Sequence, residues 1–332
     1  MRKLASIQEV REIKPIPGAD LIEMAVIKGW QVVIKKGEFE IGNKGVYFEI
    51  DSFLPIQEQY EFLRKSSYKI MGEEEGFRLR TVKLRGQISQ GLLLPLNSLG
   101  LSADLETGTD VTELLGVKKY EPPIPAQLAG DIKSGFPSFI PKTDEERVQN
   151  LDPELWIGKE NLTGREKLDG TSATFYFNSG GYGVCSRNWE LKPQEGNTYW
   201  IVSKDNNLET KLQQTNRNLA IQGEIVGPGI QGNVYKFNKP ELFVFTIFDI
   251  DNYRRLNEEE MNEVCEELGL RQVPIVYDNI SLPNSLEELL AMAEGKSLLN
   301  PKVNREGLVF RTEDQSLSFK AISNNFLLKQ KD

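Results

Sequence analysis

Residues 117–141, VKKYEPPIPAQLAGDIKSGFPSFIP, hold 5 of the chain's 16 prolines and show little hydrophobic periodicity. Proline fixes φ and has no backbone N–H, so such a run continues neither a helix nor a sheet ladder. It reads as an extended connector between a domain at 1–116 and a second at 142–332. In a chain of 332 residues each part is long enough to close a core of its own.

Before the connector, short alternating apolar runs, GWQVVIKKG, KGVYFEID, FRLRTVKLRG and QGLLLPL, are separated by Gly, Asn and Pro. That spacing predicts a small β-barrel or sandwich. After it come the strand-like runs SATFYFN, YGVCSR, AIQGEIV, ELFVFTIFDI, GLVFRT and LSFKAI. Met261, Val264, Cys265 and Leu268 keep a period near 3.6 and predict a helix over 257–268. A second helix follows Ser285, with Glu288 completing a capping box and Gly295 ending it. The Asn- and Gln-rich stretch 190–220 reads as a surface loop with one or two helical turns. The expected class is mixed α+β.

Hydrophobic content of 39% with 27% charged residues fits a soluble globular protein. No run of about 18 apolar residues is present to span a bilayer. The N-terminal LASIQEVREIK reaches charge too soon for a signal peptide, so a cytoplasmic protein is expected. Cys185 and Cys265 are the only cysteines, which leaves neither a disulfide framework nor a Cys-x-x-Cys site. The chain has no histidine, which removes Ser–His and Cys–His nucleophile pairs and imidazole zinc sites. Any catalysis must run on Lys, Arg, Asp, Glu or a metal held by oxygen. The net charge of −9 is unevenly spread: residues 1–120 hold 17 basic and 17 acidic side chains, and the remainder 23 and 32.

In REKLDGTSATFYF, Lys167 stands beside an acid and a glycine at the mouth of a strand. A free lysine amine, with a pKa near ~10.4, is protonated at neutral pH and reacts only when desolvation or a nearby cation lowers that value. Alone, Lys-x-Asp-Gly reads as a turn with a surface salt bridge. Acids and bases recur, however, at the ends of later apolar strands, where they could converge on one cleft: Arg187, Glu224, Asp249, Glu306 and Lys320. Phe248 reads most simply as core.

Lys167-Leu168-Asp169-Gly170, Ser186-Arg187, Gly223-Glu224, Phe248-Asp249-Ile250, Glu306-Gly307 and Lys320 resemble, in order, the motifs of the covalent nucleotidyltransferases, the superfamily of ATP-dependent ligases and capping enzymes. GEIVGPGIQGN and the strand ending in Phe-Asp-Ile are similar to those of nick-sealing RNA ligases. The Deinococcus-type RNA ligases, with an OB domain ahead of the ligase domain, look most alike, and PKTDEERVQNL adds to the likeness. The resemblance implies an N-terminal OB barrel followed by an adenylyltransferase domain, ATP-grasp-like, of antiparallel sheets with flanking helices.

It implies a three-step reaction as well. Lys167 takes AMP from ATP, the AMP passes to an RNA 5′-phosphate, and a 3′-hydroxyl displaces it. Lys320 would contact the α-phosphate and help keep Lys167 neutral. Asp169, Glu224 and Glu306 would hold Mg²⁺ or Mn²⁺, partly through its waters. Glu166, Leu168, Gly170 and Arg187 would line the nucleotide site, Glu224 and Arg187 binding ribose hydroxyls or the RNA end, and Phe248 would stack on adenine. Arg147 would clamp the β and γ phosphates, or be an ordinary helix arginine. Many such enzymes carry a second basic residue two positions after the last motif lysine; here Ile322 stands there, with Lys329 a candidate replacement.

Arg78, Arg80, Lys83 and Arg85 crowd FRLRTVKLRG, as non-specific contact with an RNA backbone requires. On a regular strand 78 and 80 share one face and 83 and 85 the other, so one stripe needs a bulge between Arg80 and Lys83. The expected substrate is a nick in duplex RNA or an RNA/DNA hybrid, handled by a monomer. A capping guanylyltransferase or DNA ligase is the rival in the superfamily, each normally needing a C-terminal OB domain where only 12 residues follow Lys320. A non-catalytic RNA-binding protein is the rival of another class.

Overall fold

The computed structural model describes residues 3–121 and 130–329. The chain forms two compact units, Met1–Pro123 and Ile124–Asp332. Among the described residues no helix is long and apolar enough to cross a membrane.

The first unit is built on the long strand β1 (Ala5–Pro15). A register shift between Val10 and Glu12 bends it. Its first half pairs with β4 (Lys44–Phe48) and its second with β2 (Ile22–Ile27), giving a five-stranded order β10-β4-β1-β2-β3, where β3 is Trp30–Lys35 and β10 Leu92–Pro95. Such a bulge lets one strand serve two parts of a curled sheet. A four-stranded sheet joins β11 (Lys118–Lys119), β5 (Ser52–Pro55), β7 (Glu74–Arg78) and β6 (Tyr68–Met71). Ile7, Val46, Phe48, Leu54, Tyr60 and Phe77 fill the core between them.

FRLRTVKLRG is not one strand. Strand β7 stops at Arg78, and β8 (Thr81–Leu84) pairs only with β9 (Gln87–Gln90) as a hairpin turning at Arg85 and Gly86, both at positive φ. The single basic stripe is therefore broken by a change of partner rather than joined by a bulge.

The second unit holds two sheets. The larger runs β12 (Ile132–Gly135), β17 (Trp189–Leu191), β16 (Gly181–Ser186), β15 (Thr171–Asn178), β18 (Leu219–Val226), β19 (Glu241–Asp249), β20 (Arg254–Arg255). The smaller runs β13 (Glu146–Arg147), β23 (Ser318–Ile322), β22 (Gly307–Thr312), β14 (Leu162–Lys167), β21 (Ile275–Ile280). The pairings between these named strands are antiparallel except β13 with β23. The stretch expected as a connector, 117–141, enters ladders at both ends through β11 and β12. Its prolines 122, 123 and 125 lie outside the described residues.

Each sheet buries one face under helices. Helix Glu258–Leu268, closed by a capping box between Asn257 and Glu260 and by Gly269 in the left-handed region, covers the larger sheet with Met261, Val264, Cys265 and Leu268. Helix Leu286–Ala293 covers the smaller one, capped by Ser285, whose hydroxyl accepts the Glu288 N–H. The stretch read as a surface loop instead forms helices Thr198–Asp205 and Leu208–Gln214, which bury Tyr199, Val202, Leu208 and Leu212 in the core of the larger sheet. Asn197 caps the first by accepting the N–H groups of Tyr199 and Trp200, an arrangement typically worth ~1 kcal/mol. The faces left over hold Thr174, Gln222 and Glu224 on one sheet and Arg165, Lys167, Arg311 and Lys320 on the other.

Candidate active site

Lys167 ends β14 opposite Gly307, and Ile322 lies opposite Gly307 on the next strand. Its ammonium pairs with Glu306 at 2.8 Å. Leu168 turns the other way, into a cluster with Val226, Tyr235, Phe243 and Val273, and so anchors the turn by its apolar side. Gly170 must be glycine for steric reasons: a Cβ there would stand 2.4 Å from the Ile225 carbonyl and 2.8 Å from Glu224 Cγ. The missing side chain is what brings β18, and Glu224 with it, against the lysine turn. Gly307 plays the same part on the other side, where a Cβ would meet the Ala321 carbonyl at 2.3 Å.

The result is an interior crowded with negative charge. Burial pushes Glu224 up to about 8, against the pull of Lys167 and with the repulsion of Glu306 and Asp169. Burial and the charge of Glu306 push Asp169 up to about 6. Burial alone would lower the Lys167 amine, but Glu306, Glu224 and Asp169 outweigh it and hold the pKa above its ordinary value. In the absence of a bound cation the neighbouring acids therefore favour the ammonium, against the neutral amine expected from desolvation and Lys320. Among the described residues no three acid, His or Cys side chains are gathered closely enough to hold an ion by themselves.

Cations line the next row of the sheet. Arg147 and Lys320 are direct neighbours across the parallel pair β13–β23, and the row continues through Val309 to Arg165. Arg147 is a strand residue, 7% exposed, and not a solvated helix arginine. Like charges side by side repel, and an anion across them relieves that. Arg165 is committed to structure: it donates to the Val273 carbonyl at 2.7 Å, to Gln272 and to Glu258. Arg187, in the turn between β16 and β17, is paired with the Asp144 carboxylate, 56% exposed, and its charge reaches Glu224. Lys329 is exposed beyond the short helix Asn324–Leu327.

Two expected nucleotide contacts lie elsewhere. Glu166, next to Lys167 on the strand, faces the opposite side, where its carboxylate accepts the Leu298 N–H at 2.8 Å. Phe248 is 2% exposed and enclosed by Ile140, Tyr176, Cys185 and Ala220, so adenine could reach its ring only if that cluster opened. A register shift between β18 and β19 falls at Phe245, leaving that ring half-buried near Leu168 and Tyr235. The Phe245 carbonyl accepts from Arg311 at 2.6 Å, tying it to the strand that follows Glu306. Strand periodicity cannot reveal this residue, because the bulge shifts the alternation.

In the first unit, Arg78 binds Asp51 at 3.0 Å and lies 4.4 Å over the Tyr120 ring. It is a packing residue. Arg80 is half-buried, whereas Lys83 and Arg85 stand exposed on the hairpin.

Residues 4–96 match an OB-fold domain family and residues 160–329 match the RNA ligase family. No curated protein matches the chain. Among solved structures it is similar to Naegleria gruberi RNA ligase at 46% identity. A lysine-to-methionine mutant of that protein with AMP and Mn matches over 100% of both chains at a TM-score of 0.94. A lysine-to-alanine mutant with ATP and Mn matches over 98% of both at 0.92, and the protein with pyrophosphate over 98% of both at 0.91. With a lysine and three carboxylates at strand ends inside an OB-plus-ligase architecture, and with likeness of that extent, the chain belongs to the RNA ligase family.

Proposed function

We propose that the chain is an ATP-dependent RNA ligase that joins a 3′-hydroxyl to a 5′-phosphate, at nicks in duplex RNA or RNA/DNA hybrid, through AMP carried on Lys167. The observation that carries this reading is the Lys167 amine held at 2.8 Å from Glu306 among half-buried carboxylates, one sheet row from the adjacent cations Arg147 and Lys320. Naegleria RNA ligase has been seen with ATP, with AMP and with pyrophosphate, the nucleotide substrate and the two leaving groups of such a reaction taken as a whole.

In the first step the Lys167 nitrogen attacks the α-phosphorus of ATP, a P–N bond forms, the P–O bond to pyrophosphate breaks, and the amine proton leaves to solvent. Lys320 and Arg147 bind the phosphates and spread the charge that builds on them. Phe245 takes the adenine-stacking role, and Arg187 contacts ribose or the RNA end. In the second step the RNA 5′-phosphate displaces Lys167 from AMP; in the third the 3′-hydroxyl displaces AMP from the RNA.

The donor set fits a hard divalent cation, since it offers only carboxylate oxygens and two of the three acids are held above their ordinary range by burial and by the charge of Glu306. With no preformed cage, Asp169, Glu224 and Glu306 would hold Mg²⁺ or Mn²⁺ partly through water. Its charge, when bound, favours loss of the Lys167 proton. Lys83 and Arg85 supply the RNA-backbone contact of the first unit.

Intact mass after incubation with ATP and Mn²⁺ tests the proposal. A gain of one AMP, absent in Lys167→Ala, is expected, followed by sealing of nicked RNA; no gain would sink the reading and favour a binding module.

A further inference from the structure

We infer that Tyr235 is a positioning residue for the nucleophile, acting through the backbone of the Lys167–Gly170 turn. The inference rests on the reading of Lys167 as the group that takes AMP. Strand β14 ends at Lys167 and β15 begins at Thr171, so the Asp169 N–H lies between ladders. It donates to the Tyr235 hydroxyl at 2.7 Å. The acceptor comes from 66 residues away, on the loop 227–240 that follows β18. The phenol is buried against Leu168, Val226, Phe243 and Val273, so ring and hydroxyl grip the same turn from one side.

The loop is built to hold that hydroxyl in place. Asn233 closes it on itself, donating to the Phe237 carbonyl at 2.9 Å and accepting the Phe237 N–H at 3.1 Å. Asn300 donates to the Val234 carbonyl at 2.8 Å, pinning the residue before the tyrosine. Gln231, Asn233 and Lys236 all have positive φ, a conformation that side-chain-bearing residues hold only when the surroundings impose it. A strained, doubly pinned loop whose buried tip reaches one backbone amide of the nucleophile turn is suited to fixing where Lys167 points. Side-chain placement errors of an ångström cost reaction rate heavily.

Tyr235→Phe keeps the ring and removes only the acceptor. Two single-turnover rates are measured on the same preparation: lysine adenylylation at saturating ATP, and sealing of a nick whose 5′ end already carries AMP, which does not use the Lys167 amine. Adenylylation should slow about tenfold with the KM for ATP changed less than about twofold, as expected for impaired orientation rather than impaired binding. Sealing of the pre-adenylylated nick should change less than about twofold. The ratio of the two rates cancels any loss of folded protein. Equal loss in both reactions, or adenylylation at the wild-type rate, overturns the inference. Failure of the wild-type protein to take AMP at all overturns instead the reading beneath it.

Discussion

The two units use charge in opposite ways. In the first, basic and acidic side chains balance, and its basic cluster splits between Arg78, locked on Asp51 and Tyr120, and Lys83 and Arg85 out in water. In the second, Lys167, Glu306, Glu224 and Asp169 are drawn together, where the charge of Glu306 shifts the proton affinity of the other three. Exposed charges are screened and replaceable, whereas buried ones are coupled. Substitutions in the interior cluster should therefore act on chemistry and pH response, and those on the hairpin only on RNA affinity.

The largest effect is expected from Glu306→Gln. It removes the charge paired with Lys167 and weakens one of the three proposed oxygen donors, and should slow lysine adenylylation by about 100-fold or more, as removal of one preorganised electrostatic partner commonly does. A rate within a few-fold of wild type would mean that the interior cluster is structural, and the contrast between the units would collapse.

Next in size is a pair of aromatic substitutions on one strand. Phe248→Ala empties a packed site and should destabilise the second unit by about 3–5 kcal/mol in urea unfolding. Phe245→Ala removes a half-buried ring and should weaken ATP binding with a much smaller drop in stability. Reversal of that pattern would return the stacking role to Phe248.

The strand-end acids and bases were legible because short motifs carry them, and the apolar strands because most keep a clean alternation. Helix 257–268 was legible through the period of Met261, Val264, Cys265 and Leu268. What stayed hidden depends on context beyond the local pattern. The helices at 198–214 bury only four side chains, at 199, 202, 208 and 212, in the sheet core, and the left-handed Asn207 between them interrupts the period. Phe245 is left half-buried beside Leu168 and Tyr235 because a bulge shifts the face there, while Phe248 stays in the core. The ion pair that takes Arg78 out of the basic stripe joins it to Asp51, 27 residues earlier. The raised proton affinity of Lys167 arises from three acids, two of them distant in sequence.

The coupled interior also predicts a pH signature. Glu224 rises from 4.5 to about 8 and Asp169 from 3.8 to about 6 on folding. The folded protein then binds protons more tightly than the unfolded chain, so this stability is fully present below the ordinary carboxylate values and is lost as pH rises through 6 and 8. Without divalent metal, the melting temperature of Glu224→Gln should gain on wild type by a few degrees from acid to pH 8, and Mn²⁺ should reduce the gain by restoring wild type. A constant difference across that range would place Glu224 in water.

The smallest effect belongs to the hairpin. Lys83→Glu with Arg85→Glu reverses two exposed charges that the fold does not need. Affinity for nicked RNA should fall several-fold at low salt, and the salt dependence should flatten by about 0.7–0.9 for each phosphate that is no longer neutralised. Lysine adenylylation should be unchanged. Arg78→Ala should do the reverse: without the guanidinium that bridges Asp51 and the Tyr120 ring, the melting temperature of the first unit should drop while the salt dependence of RNA binding stays as it was. If the hairpin substitutions leave affinity and salt slope untouched, then the exposed cations of the first unit are ordinary solvated charges, and recognition of RNA lies wholly with the second.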